Sequence, residues 1–347
     1  MDIALEQRGR ASIDFLVSFG RHAAACEARI AADIAQAGLT EDMLADDLDA
    51  RLAQVETALA GSRALAARDL FYEWSSAHHG IIARDAFEAL RPSIEPTLKA
   101  LADGPTQITT FAHFTPPEYL DDVWIHRTHG GWDGHEHQGF IHAEFIHQRY
   151  LTAVYGGGIF DVRRTVLDHL PRRDYKRVFE IGVSSGFHTL GLADAFPEAE
   201  ISGCDVSRPM LEQAQRVANA RGLRWNLFVG RGEDTRLPAG SFDLVSSFIV
   251  LHEVPAAINA ALFVEAFRLL EPGGAVIMTD VPPYRSIDKM KAWKFDRSAL
   301  GGGEPYWREA GLVDTVQLAA DAGFVEVRAF KDPSGGNYWV TIGEKPA

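Results

Sequence analysis

The 347-residue sequence is poor in cysteine, and its only two thiols, Cys26 and Cys204, lie far apart in the chain. Two distant thiols do not make the disulfide framework of a small secreted protein, so the count favours a reducing compartment. No apolar run approaches the ~18 residues that a membrane span needs. The first ten residues, MDIALEQRGR, carry charges and lack the apolar core of a signal peptide. We therefore expect a soluble, cytoplasmic protein.

The sequence also lacks any run of basic residues. Lys and Arg number 34 against 48 Asp and Glu, which gives a formal net charge of −14. A nucleic-acid backbone would be repelled by that field, so we expect a small-molecule substrate and no nucleic-acid partner. The chain is long for one small domain, and 46% hydrophobic residues can build a sizeable core.

Residues 1–120 are predicted to form an all-α N-terminal domain. Up to about residue 105 they are rich in Ala, Leu and Arg and poor in Gly, and apolar residues recur at three- and four-residue spacing. Pro92 and Pro96 are expected to interrupt or delimit a helix there. The domain is a plain scaffold in the simplest interpretation, and a dimerisation surface or substrate cover in a more specific one. A homodimer is the default expectation.

Residues 121–160 are predicted to form a His- and Gly-rich loop followed by a lid helix. Six histidines fall within 22 residues: His126, His129, His135, His137, His142 and His147. A metal site is one interpretation, but His135-x-His137 has no cysteine partner and is not diagnostic. A polar loop over the active site is the other, with His142 and His147 facing different directions along a helix. We predict no metal.

Residues 161–347 alternate short apolar strands with helices of 10–15 residues. This pattern predicts an α/β fold with a seven-stranded, mostly parallel sheet and helices on both faces. The segments FVEVRAF and NYWVTIGEK, joined by DPSGG, are expected to form a terminal hairpin that adds an antiparallel strand. Residues 282–311 form an aromatic- and Gly-containing insertion after the fifth strand of this region.

Motifs typical of a nucleotide site follow one another in this region. Glu180-x-Gly182-x-x-x-Gly186 lies between a strand and a helix, where glycines permit positive φ and close approach of a ligand. Asp205 ends the next strand, at the place of an acid that accepts ribose hydroxyls. Gly232-Glu233-Asp234 follows the third strand. NAD is a poor alternative, because its G-x-G-x-x-G spacing is absent.

Taken in order, these segments resemble the class I S-adenosylmethionine (SAM)-dependent methyltransferases, a Rossmann-like fold, over roughly half the chain. FDLVSSFIVLHEV is similar to the family's central strand, and RLLEPGGAVIMTD to its later helix, turn and strand. Ser184 stands where such families usually have Gly, and Arg231 where many have Asp. The resemblance implies SAM as cofactor, bound by Glu180, Gly182, Ser184, Gly186, Asp205, Val206, Gly232, Glu233, Asp234, Phe248 and Tyr150.

The predicted chemistry is methyl transfer to a small molecule, at a hydroxyl oxygen, by in-line displacement. Such a reaction needs positioning and, for a hydroxyl, a base. His252 and Glu253 in IVLHEV match the Leu-His-Asp segment of plant-type small-molecule O-methyltransferases, so His252 is the candidate base, although packing is an equal alternative. Candidate substrate contacts are His126, His129, His142, Trp293, Tyr306 and Trp307. Two other interpretations stand: a SAM-fold enzyme with a different reaction, and a non-catalytic SAM-binding regulator.

Overall fold

A computed structural model gives the fold and describes residues 4–112, 114–156, 158–333 and 337–347. Eight strands form one sheet: β1 (Gln107–Thr110), β2 (Arg177–Ile181), β3 (Glu200–Asp205), β4 (Trp225–Val229), β5 (Phe242–Phe248), β6 (Leu270–Asp280), β7 (Val325–Lys331) and β8 (Trp339–Glu344). Their order is β1-β4-β3-β2-β5-β6-β8-β7. The order changes direction at β2, so the crevice for a ligand is expected at its carboxyl end.

The sheet is mostly parallel, as predicted. Strands β1 to β6 pair in parallel, whereas β8 is antiparallel to both β6 and β7. The expected turn DPSGG reaches into 334–336, which lie outside the described residues. The prediction of seven strands is corrected to eight, because β1 adds parallel to β4 at the edge. β1 reads Gln-Ile-Thr-Thr and is mostly exposed, so it has no apolar alternation that a sequence pattern would reveal.

Helices cover both faces of the sheet. Alternate residues of a strand point to opposite faces, so Val178 and Leu244 pack on one side while Phe179 and Val245 pack on the other. The first face carries α6 (Gly158–Thr165), α7 (Phe187–Ala195) and α8 (Arg208–Ala220), and the second carries α9 (Ala256–Leu269) and α12 (Thr315–Asp321).

Three further helices occupy the N-terminal part: α1 (Gln7–Gln36), α2 (Leu48–Ala58) and α3 (Arg63–Ala102). The expectation that Pro92 and Pro96 interrupt a helix is wrong, because both lie inside the 40-residue α3. Proline removes a backbone donor, but burial of Phe87 and Leu98 on either side of the two prolines holds the helix together.

The predicted lid helix is a composite of α4 (Gln138–Ile141), a π-helix (His142–Leu151) and α5 (Thr152–Tyr155). Because a π-helix pairs residue i with i+5, side chains five apart share a face. The rings of His142 and His147 accordingly lie 4.1 Å apart between centroids, which corrects the expectation that they face different directions. Burial lowers the pKa of both imidazoles well below the ordinary value, so both are neutral.

Residues 282–311 form α10 (Lys289–Gly302) and lead into α11 (Trp307–Leu312). Helix α10 packs against the N-terminal helices: Trp293 is buried in a cluster with Ile30 and Val55. Across the same contact, the Tyr72 hydroxyl donates to the Ser298 carbonyl at 3.2 Å. The insertion and the N-terminal helices thereby form one wall above the sheet. Among the described residues, no helix combines the length and apolar character that a membrane crossing requires.

Candidate functional site

One large cavity of about 910 Å³ opens at the carboxyl ends of β2, β3 and β5. Its volume is near the upper end of the range for ligand pockets, roughly 300–1,000 Å³. The cavity continues from the sheet to α3 and α10, so residues from both halves of the chain line it. An open α/β sheet binds its ligands at this edge.

The loop after β2 forms the floor of the cavity through left-handed backbone turns. Gly182 has φ +76° and Ser184 has φ +50°, and both line the cavity. Serine in this conformation costs roughly 1–2 kcal/mol, which glycine would avoid. Gly186, with φ +86°, lies behind the cavity wall, where a Cβ would come 3.0 Å from the backbone of Ala214. Gly186 therefore allows the tight turn from β2 into α7 and does not line the cavity, where it was predicted to contact the cofactor.

Asp205 at the end of β3 fastens this loop. Its two carboxylate oxygens accept backbone N–H groups of Ser184 at 2.7 Å and Ser207 at 2.9 Å. Burial raises the pKa of Asp205 to about 6, although these two hydrogen bonds oppose the rise. Each oxygen keeps a second lone pair, and the residue lines the cavity. That is the arrangement needed to accept two neighbouring hydroxyls.

Glu180 presents a buried oxygen that has no hydrogen-bond partner among the described residues. Its Oε2 accepts a hydrogen bond from the Thr189 hydroxyl at 2.6 Å, whereas Oε1 is unpaired. Burial raises the pKa of Glu180 to about 8. A buried polar atom without a partner is costly, and a cationic donor entering the cavity would satisfy it.

The residues after β4 divide between the cavity and the surface. Gly232 and Glu233 line the cavity, together with the predicted Val206, Phe248 and Tyr150. Glu233 lies 3.4 Å from the Tyr119 hydroxyl, which sequence reasoning missed. Asp234, which was predicted to bind the cofactor, lies outside the cavity. Its carboxylate accepts a hydrogen bond from the Arg236 side chain at 2.7 Å. Arg231 holds a loop carbonyl, that of Thr115, at 3.0 Å.

His252 lies just beyond β5, where it is buried in the cavity wall. Its Nδ1 is 2.8 Å from Oδ1 of Asp280, the last residue of the adjacent strand β6. Burial opposes a charge on the ring, but the carboxylates of Asp280, Glu304 and Glu253 together outweigh it and raise the pKa of His252 to about 9, with Asp280 the strongest of the three. Sequence reasoning missed Asp280, although the MTD segment that ends β6 carries it to the edge where ligands bind.

Glu253 and a second histidine extend this charged group. Nε2 of His126 lies 3.5 Å from Glu253, and its Nδ1 contacts Glu304, a cavity residue that the sequence did not indicate. Burial opposes protonation of His126, but the two carboxylates raise its pKa to about 10. His126 therefore lines the cavity as a cation that holds two acids, with both ring nitrogens engaged.

The remaining candidate substrate contacts separate into two groups. His142 and Trp307 line the cavity. His129 instead packs against Trp124 at 4.3 Å between ring centroids, and Trp293 is buried between helices. Tyr306 does not line the cavity, and its hydroxyl donates to the backbone carbonyl of Tyr119, which does.

One group of possible metal ligands lies outside the cavity. Nε2 of His137 is 3.6 Å from a carboxylate oxygen of Glu95, and Glu136 lies beside them. Arg91 binds both carboxylates, at 3.2 Å for Glu95. A guanidinium already neutralises the acids where a metal ion would sit. The predicted absence of a metal stays a prediction.

Comparisons with known proteins agree with this geometry. The methyltransferase domain family model matches residues 178–274. Demethylmenaquinone methyltransferase of Thermus thermophilus is 32% identical over 121 residues, which are 35% of this chain and 54% of that protein. Nocamycin O-methyltransferase of Saccharothrix syringae is 27% identical over 195 residues, which are 48% of this chain and 65% of that protein.

The chain spans between half and two thirds of the length of these two curated relatives. Among solved structures, Haemonchus contortus phosphoethanolamine N-methyltransferase 2 in complex with SAM aligns with a TM-score of 0.47 and 16% identity, covering 68% of this chain and 61% of that one. With the strand order and the ordered motifs, the family match identifies the segment from 178 to 274 as a methyltransferase domain of the class I, SAM-dependent type.

Proposed function

We propose that this protein transfers a methyl group from SAM to a hydroxyl oxygen of a small molecule. The observation that carries the proposal is the continuity of one cavity, which joins Glu180 and Asp205 at the sheet to His252 and then to α3 and α10. A cofactor at the sheet would thus share an enclosed space with an acceptor molecule beneath the helices. Enclosure matters because alignment of the two reactants supplies much of the rate in such a displacement.

The residues of the sheet edge fit the polar groups of the cofactor. Asp205 accepts the ribose hydroxyls, and Oε1 of Glu180 accepts from the ammonium group of the methionine part. Gly232 and Glu233 border the adenine, with Phe248 and Val206 as apolar wall residues. The bound cofactor supplies a methyl group already activated on a sulfonium.

His252 orients the acceptor and takes up its proton. Hydrogen bonding of Nδ1 to Asp280 fixes the ring so that Nε2 is the nitrogen available to a substrate. In the free protein this imidazole is protonated at neutral pH, because its pKa is about 9. A cation bound nearby lowers that value by charge repulsion, which favours the neutral form that accepts a proton. Activity is therefore expected to rise with pH.

The test is product analysis with SAM that carries a tritiated methyl group and a panel of hydroxylated small molecules. Transfer gives S-adenosylhomocysteine (SAH) and a labelled product heavier by one methyl group. His252→Gln should lower turnover while SAH affinity stays near the wild-type value, with His78→Gln, outside the cavity, as the matched control. Tight SAM binding without labelled product from any acceptor would favour a different SAM-dependent reaction or a regulatory binder.

A further inference from the structure

Helix α3 turns a polar stripe toward the cavity. Tyr72, Ser75, Ser76 and His79 follow the i, i+3, i+4, i+7 spacing of one helix face, and all four line the cavity. The polar groups of two of them bind helix α10: the hydroxyl of Tyr72 reaches the Ser298 carbonyl, and that of Ser76 donates to the Gly302 carbonyl at 2.8 Å. A stripe that faced only a packed core would be apolar.

His79 is the member of this stripe whose hydrogen-bonding role is fixed by its own helix. Nδ1 lies 3.2 Å from the Ser75 carbonyl oxygen and 3.0 Å from that of Ser76. Carbonyl oxygens only accept, so Nδ1 carries the hydrogen and Nε2 of the neutral ring carries a lone pair. The hydrogen bonds of His79 to the described residues all involve Nδ1, so Nε2 is open to a ligand.

The surroundings of His79 keep its ring neutral. Burial lowers the pKa of His79 to about 4, and the nearby positive charge of His126 lowers it further, while Glu304 acts in the opposite direction. His79 and His252 therefore face one cavity with opposite character at neutral pH. His79 is a neutral hydrogen-bond acceptor and His252 is a cation. Environments that push the pKa values of two titratable groups apart in this way indicate different roles for the two groups.

We infer that His79 determines which acceptor molecules this enzyme binds: its Nε2 accepts a hydrogen bond from an O–H or N–H group of the acceptor. The inference rests on the proposed function, because it places the acceptor in the part of the cavity between α3 and α10. No covalent step is assigned to His79. A molecule with an ether in place of the hydroxyl leaves Nε2 without a donor and binds less well.

Aromatic side chains in the cavity wall favour a planar ring as the carrier of that hydroxyl. The Tyr150 ring is nearly parallel to the His79 ring, with centroids 6.3 Å apart. Phe295 and Trp307 line the same cavity. Phenol and its methyl ether, anisole, are therefore suitable probes, because they share the ring and its oxygen, and a methyl group in anisole replaces the hydrogen that phenol donates.

The experiment measures binding of phenol and anisole to the SAH complex by NMR, with ¹⁵N-labelled histidine side chains. We expect phenol to bind wild-type protein about tenfold more tightly than anisole, and to shift the Nε2 resonance of His79. The preference should disappear in His79→Phe and persist in part in His79→Gln, whose side chain keeps an acceptor oxygen. Equal affinities in wild-type protein, or an equal preference in wild type and His79→Phe, would overturn the inference, as would no binding of either probe.

A matched control lies next to His79 in the sequence. His78 also places Nδ1 on the carbonyl four residues earlier, that of Trp74, at 2.8 Å, but it is outside the cavity lining. His78→Phe should keep the tenfold preference. Calorimetric titration of SAH into the same proteins tests the proposed function separately: SAH binding with no phenol preference refutes only the role of His79, whereas loss of SAH binding in wild-type protein refutes the cofactor site.

Discussion

Replacement of Asp280 by Asn should change the protonation of His252 without touching the residues that line the cofactor end of the cavity. The carboxylate lies 2.8 Å from Nδ1 and is the main cause that raises the pKa of His252 to about 9 against the effect of burial. Without it, burial is the largest remaining influence and should outweigh the weaker charges of Glu304 and Glu253, which brings the pKa of His252 below the ordinary value of 6.5. At pH 7.5 the protonated fraction would fall from about 97% to under about 10%.

The same substitution changes how stability depends on pH. Because the folded-state pKa of His252 exceeds its unfolded value, the pair contributes stability that is fully present below pH 6.5 and is lost as pH rises through 9. The difference of about 2.5 between 9 and 6.5 corresponds to about 3 kcal/mol in wild-type protein at low pH. Asp280→Asn should remove that contribution.

The assay is a pH titration of the His252 ring resonances by NMR in wild-type protein, Asp280→Asn and Asp234→Asn. Asp234 is the control because it lies outside the cavity and binds Arg236. A midpoint near 9 in the control and below 6.5 in Asp280→Asn agrees with the account. If Asp280→Asn titrates as wild-type protein does, the charge on His252 has another origin and the reasoning fails.

Three further changes test other parts of the site. Glu180 should ionise to bind the cofactor ammonium, so calorimetric affinity for SAH should be about fivefold lower at pH 7 than at pH 8, and Glu180→Gln should remove this dependence. In urea unfolding, Gly186→Ala should cost about 2–3 kcal/mol, against about 1 kcal/mol for Gly222→Ala, which has a similar φ but open space around it. His126→Gln leaves two partly buried carboxylates without their cation, which should cost about 3 kcal/mol at pH 7. Wild-type stability should fall as pH rises through about 10, and the variant's should not, because the pKa of His126 is raised in the folded protein.

Each of these has an outcome that contradicts it. A pH-independent SAH affinity in wild-type protein would mean that Glu180 does not receive the cofactor's charge. Equal losses for the two glycine variants would show that the helix α8 backbone yields to a Cβ at position 186. An unchanged free energy of unfolding in His126→Gln would show that the two carboxylates do not depend on the charge of His126.

The sheet and its cofactor edge were predictable because parallel strands and nucleotide loops have local patterns. The strand segments from 177 to 280 are apolar runs separated by helices, and the glycine loop follows the first of them directly. The edge strand β1 was not predictable, since its Gln-Ile-Thr-Thr sequence is mostly exposed and depends on pairing with β4. Pro92 and Pro96 suggested an interruption or end of a helix, but both lie within α3, because tertiary packing outweighs the local preference of proline.

The site beyond the cofactor edge was only partly predictable, because its members come from distant segments. The sequence indicated His252, but its partner Asp280 is 28 residues away and meets it only through pairing of β5 and β6. Glu304 and His126 are brought together by the insertion. The polar stripe of α3 did carry a signal, since Tyr72, Ser76 and His79 recur at helical spacing in a helix that is otherwise amphipathic.

The most direct test of the central claim is a calorimetric titration of SAH into wild-type protein, Asp205→Ala and Asp234→Ala. Asp205 lines the cavity and fastens the Ser184 loop, whereas Asp234 is paired at the surface. The account predicts that Asp205→Ala weakens SAH binding by about 100-fold, through two lost charge-assisted hydrogen bonds, and that Asp234→Ala binds as wild-type protein does. Unchanged affinity in Asp205→Ala would contradict the assignment of the cofactor site.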